Sequence, residues 1–201
     1  MNNNPFLPYT EQVDVTIHPT ANLSDNVKVT IKGNGHKIII EDGVILRNVI
    51  ITMSGKNGLL HVGKNCNLRG SFHVRHINSK IIIGENTTSV SVQLFGLEGK
   101  SILIGNDCMF SSGIISRTSD EHSIIDLETN MRINQPKDVI IGNHVWVGEG
   151  ATLNKGTVIP DNCIIGSASF VSRKLTRKSS IYAGSPAKII REGITWSREL
   201  L

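Results

Sequence analysis

The stretch IGNHVWVGEG, residues 141–150, sets the period of most of the chain. From here onward an aliphatic residue returns every six positions. The series comprises Ile141, Val147, Leu153, Ile159, Ile165 and Val171. Six is neither the helical period of about 3.6 nor the alternation of a half-buried strand, so an ordinary amphipathic element does not explain it.

Each six-residue unit carries two further signals. A mostly small side chain follows four positions after the aliphatic residue, as at Ala151, Thr157 and Ser169. Turn-forming residues such as Gly142 and Gly148 stand one position after it. Each unit therefore predicts a short strand and a bend, and three units make one triangular coil of a parallel β-helix. The count leaves the handedness of the coil open.

The same six-residue pattern recurs upstream at a less regular spacing. Units 22, 21 and 21 residues apart begin at Ile40, Val62, Ile83 and Ile104. Three hexads with three or four extra corner residues account for these distances. We therefore predict an all-β chain with a β-helix over 15–183, an N-terminal tail or cap over 1–14, and a short helical C-terminal tail over 184–201.

The repeat breaks once, where residues 117–138 leave the pattern. A long excursion from a tight repeat is more often functional than accidental, because ordering it costs conformational entropy. His122 lies in this extruded loop, flanked by Asp120, Glu121 and Asp126. Nearby carboxylates would raise the basicity of the imidazole and fix its tautomer, as a catalytic base needs. The alternative is a solvated loop histidine.

The other histidines show no metal-ligand spacing and are predicted to be surface residues: His18, His36, His61, His73, His76 and His144. The three cysteines, Cys66, Cys108 and Cys163, all occupy the small slot of their hexads. Buried free thiols explain this placement better than a disulfide, a zinc site or a nucleophile. We therefore expect no metal.

Trp146 is the second unusual residue, because its indole N–H requires a partner. Packing at a subunit interface and contact with a substrate both account for it. In the first hexad after the loop, it can stand beside whatever the loop presents. One hypothesis is that His122 activates a hydroxyl while Trp146 supplies an aromatic wall or a hydrogen bond.

Charge is unevenly distributed along the chain, which has a net charge of +4. Residues 163–191 hold six Lys or Arg and no Asp or Glu, so the rest of the chain is at −2. A basic segment at the end of the β-helix suits a phosphate-bearing ligand. Nucleic acid is disfavoured, because few aromatic residues interleave with the basic ones to stack bases.

Composition indicates a globular protein, with 39% hydrophobic and 19% charged residues. Only nine residues are aromatic, so many small aliphatic contacts must build the core. No apolar run approaches the roughly 20 residues of a membrane span, and the N-terminus does not have a signal-peptide pattern. We therefore expect a cytoplasmic protein without membrane insertion.

The segments HVWVGEGATLNKGTVIPDNCIIGSASFVS and AGSPAKIIREGITW closely resemble the hexapeptide-repeat acetyltransferases, which include the galactoside, maltose and serine acetyltransferases. The resemblance implies a left-handed parallel β-helix and a homotrimer that uses acetyl-CoA, with active sites between neighbouring subunits. This left-handed winding is an exception to the usual crossover rule.

The same resemblance assigns site residues. His122 matches the place of the catalytic base, and its separation of 24 residues from Trp146 equals the spacing in galactoside-type members. Five residues match the family's CoA-binding positions: Ser167, Ser172, Arg173, Lys188 and Arg191, the last two near the phosphates. The chemistry expected is direct transfer with a histidine base, without an acyl-enzyme.

The loop text SDEHSIID, followed by RINQPKDVIIGNHVWVG, is most similar to the branch that acetylates bacterial surface sugars, such as polysialic acid and other capsule or O-antigen polysaccharides. We therefore predict an acetyl-CoA:saccharide O-acetyltransferase. The alternatives are an acetyltransferase for another small sugar or xenobiotic, a zinc enzyme of the γ-type carbonic anhydrase class, and a non-catalytic β-helix trimer. The sugar and the hydroxyl stay open.

Overall fold

The computed structural model describes residues 5–200, so residues 1–4 of the predicted N-terminal cap and Leu201 of the predicted tail lie outside the described residues. A 3-10 helix, Leu7–Tyr9, precedes the first strand. No helix among residues 5–200 is long and apolar enough to cross a membrane.

Within the described residues, twenty-one strands follow in chain order. The first seven are β1 Val13–Ile17, β2 Asn22–Leu23, β3 Lys28–Asn34, β4 His36–Ile40, β5 Ile45–Lys56, β6 Leu59–Val62 and β7 Asn67–Ile77. The next seven are β8 Lys80–Ile83, β9 Thr88–Ser89, β10 Val92–Gly96, β11 Ser101–Ile104, β12 Met109–Phe110, β13 Ile114–Arg117 and β14 Val139–Ile141. The last seven are β15 Trp146–Val147, β16 Thr152–Leu153, β17 Val158–Ile159, β18 Ile164–Ile165, β19 Phe170–Val171, β20 Ser180–Ala183 and β21 Lys188–Glu192.

Strands β1–β20 form three faces, on which each strand pairs in parallel with its equivalents one coil away. The first face contains β1, β4, β6, β8, β11, β14 and β17. The second contains β2, the first parts of β5 and β7, and then β9, β12, β15, β18 and β20. The third contains β3, the later parts of β5 and β7, and then β10, β13, β16 and β19. The predicted parallel β-helix is confirmed.

The register agrees with the spacing of the sequence repeat. Equivalent aliphatic residues are partners on the first face: Ile40–Val62, Val62–Ile83, Ile83–Ile104, Ile104–Ile141 and Ile141–Ile159. The last pair is separated by 18 residues, which is three hexads. The loop is therefore an insertion that leaves the pairing of its flanking coils intact.

The small slot of each hexad points inward, as predicted. Its residues are buried at Val145, Ala151, Thr157, Cys163 and Ser169. All three cysteines are buried free thiols, as expected. Burial raises the pKa of Cys66 and Cys108 to about 12 and also raises the pKa of Cys163. None is therefore suited to act as a nucleophile near neutral pH.

One corner of the coil explains two sequence preferences. The residue three positions after the aliphatic is left-handed at Asn65, Asn86, Asp107, His144 and Asn162, with φ between 52° and 58°. Asn and Asp tolerate this conformation better than most residues. At Gly105, two positions before Asp107, an added Cβ would lie 2.6 Å from the carbonyl of Gly142 in the next coil. Close stacking of coils therefore selects glycine here.

The predicted helical C-terminal tail is wrong. Residues 188–192 form β21, which pairs antiparallel with β20, and residues 184–200 contain no helix. The reason is that β20 ends the second face and would otherwise leave its backbone groups exposed at a sheet edge. Residues 194–198, here called the C-terminal strap, then run back along the corner of earlier coils.

Candidate functional site

The excursion from the solenoid is an ordered hairpin. Arg117 belongs to β13, so residues 118–138 connect β13 to β14. Ile125 and Arg132 form an antiparallel bridge, and the Ile133 N–H donates to the carbonyl of Ile124 at 2.9 Å. The loop therefore has its own backbone hydrogen bonds.

Three ion pairs attach this hairpin to the solenoid: Arg132 with Glu98 at 2.6 Å, Arg75 with Glu121 at 2.8 Å, and Lys155 with Asp120. Hydrogen bonds from Arg132 and Ser119 lower the pKa of Glu98 to about 2. A hydrogen bond from Lys155 lowers the pKa of Asp120. Glu98 and Asp120 are therefore ionised at neutral pH, and the ion pairs hold the loop against the solenoid.

His122 lies at the base of this hairpin with its side chain exposed. The Asn134 amide donates to the His122 carbonyl at 2.8 Å and to the Asp120 carboxylate at 2.7 Å, which fixes the backbone. Within residues 5–200 the imidazole has no hydrogen-bond partner, so its nitrogens are accessible to a substrate.

The carboxylates that flank His122 in the sequence contact other residues in the described subunit. Asp120 binds Lys155, Glu121 binds Arg75, and Asp126 accepts hydrogen bonds from Thr129 at the hairpin turn. Sequence proximity did not predict these contacts, because the basic partners of Asp120 and Glu121 come from other coils.

Trp146 lies on the second face in β15, between Met109 of β12 and Ile164 of β18. Its indole nitrogen is 3.5 Å from the Ser111 hydroxyl, which is long for a hydrogen bond. The ring of Trp196 lies 6.3 Å away at an interplanar angle of 53°. The indole N–H is thus only weakly engaged within the subunit.

Trp196 in the C-terminal strap was not identified from the sequence. Its ring stacks on His144 at 4.1 Å, and its indole N–H donates to the His144 carbonyl at 2.9 Å. His144 in turn contacts Asp107 through Nδ1 at 2.7 Å, and Arg198 also pairs with Asp107. The strap therefore supports the coil surface beside Trp146. It lies outside the repeat, so the hexad pattern does not predict it.

The prediction that the other six histidines are surface residues is wrong for His36, which is buried, while His61, His73 and His144 are partly buried. His144 is half-buried against the strap. His36 is buried, with its ring nitrogens 3.1 Å from the Gly58 N–H and 3.1 Å from the Lys32 carbonyl. Its position at the start of β4 directs the ring inward, where backbone groups satisfy it. Among residues 5–200, no group of three His, Cys, Asp or Glu could hold a metal ion.

The five predicted CoA-binding residues share the last coil and the hairpin after it. Ser167 follows β18, Ser172 and Arg173 follow β19, and Lys188 and Arg191 lie in β21. The Arg173 guanidinium donates to the Ala187 carbonyl at 3.3 Å, which joins the coil to the hairpin. All five side chains are exposed.

No protein-family model matches the chain. A polysialic acid O-acetyltransferase of Neisseria meningitidis is 34% identical over 96% of this chain and 90% of its own length. This chain belongs to the polysialic acid O-acetyltransferase family. It is therefore an acyltransferase with the hexapeptide-repeat fold.

Two solved structures of the family have the same fold. The crystal structure of the polysialic-acid-specific acetyltransferase NeuO is 32% identical, with a TM-score of 0.81, over 94% of this chain and 89% of that one. The crystal structure of the polysialic acid O-acetyltransferase OatWY gives the same identity and TM-score over 94% and 91%. The likeness thus includes most of the solenoid and its excursion.

The described subunit does not bring all candidate residues of this acyltransferase together. The loop bearing His122 forms its ion pairs with Arg75, Glu98 and Lys155. Trp146 instead lies on the second face beside Ser111 and Trp196. No hydrogen bond or ring contact joins His122 to Trp146 among residues 5–200. A site that uses both residues needs a further element.

We expect Glu98→Gln to loosen the loop, because a neutral amide cannot form the ion pair with Arg132. Amide hydrogen exchange of residues 124–133 at pH 7 should become several-fold faster than in the wild type. Glu128→Gln removes the same charge from an exposed loop position and should leave exchange unchanged. Equal protection in the Glu98→Gln and wild-type proteins would contradict the anchoring role.

The ion pair between Arg132 and Glu98 also makes amide exchange in the loop depend on pH. The pKa of Glu98 falls from 4.5 to about 2 on folding, so its stabilising effect is fully present above pH 4.5. That effect is lost as the pH falls from 4.5 towards 2. Loop exchange, corrected for intrinsic rates, should rise across this window in the wild type. The rise should be smaller in Glu98→Gln, where Asp120 still loses its charge but Glu98 no longer contributes.

Proposed function

We propose that this chain transfers the acetyl group of acetyl-CoA to a hydroxyl of a bacterial surface polysaccharide that contains sialic acid. One observation carries the proposal: the chain has the family's β-helix, and an anchored loop presents the exposed imidazole of His122. The substrate is inferred from the relatives' own acceptor. The reaction takes place in the cytoplasm, where acetyl-CoA is available.

His122 acts as the general base. A sugar hydroxyl is a weak nucleophile, so its proton must leave as the oxygen attacks the thioester carbonyl, and imidazole suits this step near pH 7. The C–S bond then breaks, the acetyl group remains on the sugar oxygen, and the leaving sulfur takes the proton from the imidazolium. Transfer is direct, because the three buried cysteines offer no thiolate.

Trp146 contributes at the reacting carbonyl or at the sugar ring. Its indole N–H has only a 3.5 Å contact to Ser111, so it is available to the oxyanion of the tetrahedral intermediate. Such a donor typically contributes about 3 kcal/mol to the transition state. The six-membered ring of the Trp146 indole also offers an apolar surface for a sugar ring.

The co-substrate binds at the C-terminal end of the solenoid. Lys188 and Arg191 are exposed in β21, and the surrounding residues 163–191 contain no carboxylate side chain. This arrangement suits the phosphates of CoA, since fixed cations attract and hydrogen-bond phosphate oxygens. The adjoining turns carry Ser167, Ser172 and Arg173. These residues hold the rest of the CoA molecule.

The active enzyme is a homotrimer with its sites between subunits. Two features support this proposal. His122 and Trp146 have separate surroundings within one subunit, so a neighbour must complete the site. The same loop also exposes five apolar side chains: Ile124, Ile125, Leu127, Met131 and Ile133. Leu127 is 98% exposed, and a second copy of the chain would cover such a surface.

His122→Ala should lower kcat for acetyl transfer to polysialic acid by about a hundredfold or more, the low end for loss of a general base. CoA binding measured by calorimetry should be unchanged. His18→Ala removes an exposed histidine far from the loop and is the control. Near-normal turnover of His122→Ala would refute the assignment.

Two substitutions of Trp146 separate its possible contributions to turnover. Trp146→Phe keeps an aromatic ring and removes the indole N–H, whereas Trp146→Ala removes both. If the Phe form is active and the Ala form is not, the ring acts as a surface. If both fail alike, the N–H is the contribution.

Neutralising the proposed phosphate contacts in Lys188→Gln/Arg191→Gln should raise the KM for acetyl-CoA by roughly tenfold to a hundredfold, since charged hydrogen bonds contribute about 1.5–3 kcal/mol. The KM for the acceptor should change little. Lys174→Gln/Lys178→Gln removes the same charge from the same acid-free segment and serves as the control. An unchanged KM for acetyl-CoA in the first double variant would rule out this site.

Sedimentation velocity should show a trimer. Leu127→Glu/Met131→Glu places charge on the exposed loop surface and should yield monomers with little activity, while Leu200→Glu, at another exposed apolar position, should not. A wild-type protein that is a fully active monomer at the assay concentration would contradict the trimeric site.

A further inference from the structure

The third face of the first five coils forms a basic surface. Its strand segments are residues 28–34, 49–56, 70–77, 92–96 and 114–117, and none contains Asp or Glu. They carry five cationic side chains: Lys28, Lys32, Lys56, Arg75 and Arg117. We call this surface the basic face. Within residues 5–200 only Arg75 of these five forms an ion pair.

One row of this face contains a stacked ladder. Register pairs Thr30 with Thr52, Thr52 with His73, His73 with Phe95 and Phe95 with Arg117. The His73 and Phe95 rings stack at 4.6 Å and 8°, and the Arg117 guanidinium lies 5.1 Å from the centre of the Phe95 ring. The neighbour of His73 on its other side is the small Thr52, so that side of the imidazole has no aromatic neighbour.

The stacked ladder of His73, Phe95 and Arg117 lies next to the loop that carries His122. Arg117 is the last strand residue before the loop. Arg75, two residues after His73 on β7, holds Glu121 at 2.8 Å, and Glu121 immediately precedes His122. Burial, followed by the charge of Arg75, lowers the pKa of His73, so this ring is neutral and suited to stacking near pH 7. The basic face and His122 are thus parts of one continuous surface.

We propose that the basic face is an acceptor subsite that binds an extended polysaccharide carrying carboxylates. Lys32, Lys56 and Arg117 attract the carboxylates, and the His73–Phe95 ladder supports a sugar ring. The inference rests on the proposed function and deepens it, because it assigns the residues that hold the polymer away from the reacting hydroxyl. Five strands about 4.8 Å apart give a surface roughly 20 Å long, which suits several sugar units.

Other anionic occupants fit less well. The phosphates of CoA are assigned to the last coil and β21, whereas the basic face belongs to the first five coils. Single-stranded nucleic acid needs open aromatic faces for its bases. The only phenylalanine ring on the outer side of this face, Phe95, is covered by His73 on one side and Arg117 on the other. Carboxylated sugars need charge and a shallow apolar surface, and both are present.

The test uses the full chain with Lys32→Gln/Lys56→Gln, which removes two exposed charges far from the CoA-binding hairpin. The KM for long polysialic acid should rise about fivefold to tenfold. The KM for acetyl-CoA and kcat at saturation should stay the same, and so should kcat/KM for a sialic acid dimer. Lys37→Gln/Lys80→Gln removes the same charge from the first face and is the control. An unchanged KM for the polymer would overturn the proposal.

A binding measurement separates this inference from the proposed function. Fluorescently labelled polysialic acid, without acetyl-CoA, should bind the wild type more tightly than Lys32→Gln/Lys56→Gln or His73→Ala, even if no acetyl transfer is detected. Equal displacement by single-stranded DNA of the same charge would show a non-specific polyanion surface and refute the subsite. Loss of the trimer in these variants would identify the face as a subunit interface and also refute it.

Discussion

Stacking of one coil on the next is the constraint on which the rest of the structure depends. Each strand residue on the first face pairs with its equivalent 18 to 23 residues later, except across the loop. Large aliphatic residues therefore lie above one another in a continuous core, and the small inward slots fill the space between them. Glycine and left-handed Asn or Asp at one corner allow the coils to approach closely.

This constraint also explains how a loop can be added without disturbing the core. The chain leaves after β13 and returns at β14 with Ile104 still paired to Ile141. Residues 118–138 are thus free of the core register, and their position is determined by ion pairs to Arg75, Glu98 and Lys155. The solenoid supplies a rigid frame, and charged contacts place His122 on it.

Electrostatics divides the molecule into regions with different partners. The modest net charge of +4 conceals two basic regions without Asp or Glu, residues 163–191 and the third-face strand segments of the first five coils. Acidic residues are instead used in pairs, as at Glu98 and Asp107. Two separate cationic surfaces suit the two anionic substrates that we propose, a phosphate-bearing carrier and a carboxylated polymer.

The sequence by itself determined the coil, its period, the inward slots, the three buried thiols and the single excursion, because each depends on local spacing along the chain. It also placed His122 in the loop and the five CoA candidates at one end. Only the tertiary structure decided what contacts the carboxylates beside His122, where Trp196 packs, and that the tail is a strand rather than a helix. It also revealed the basic face, whose residues come from five separate coils. The physical reason is that coil stacking brings together residues about twenty positions apart, and the repeat specifies their register but not the chemistry of their outward side chains.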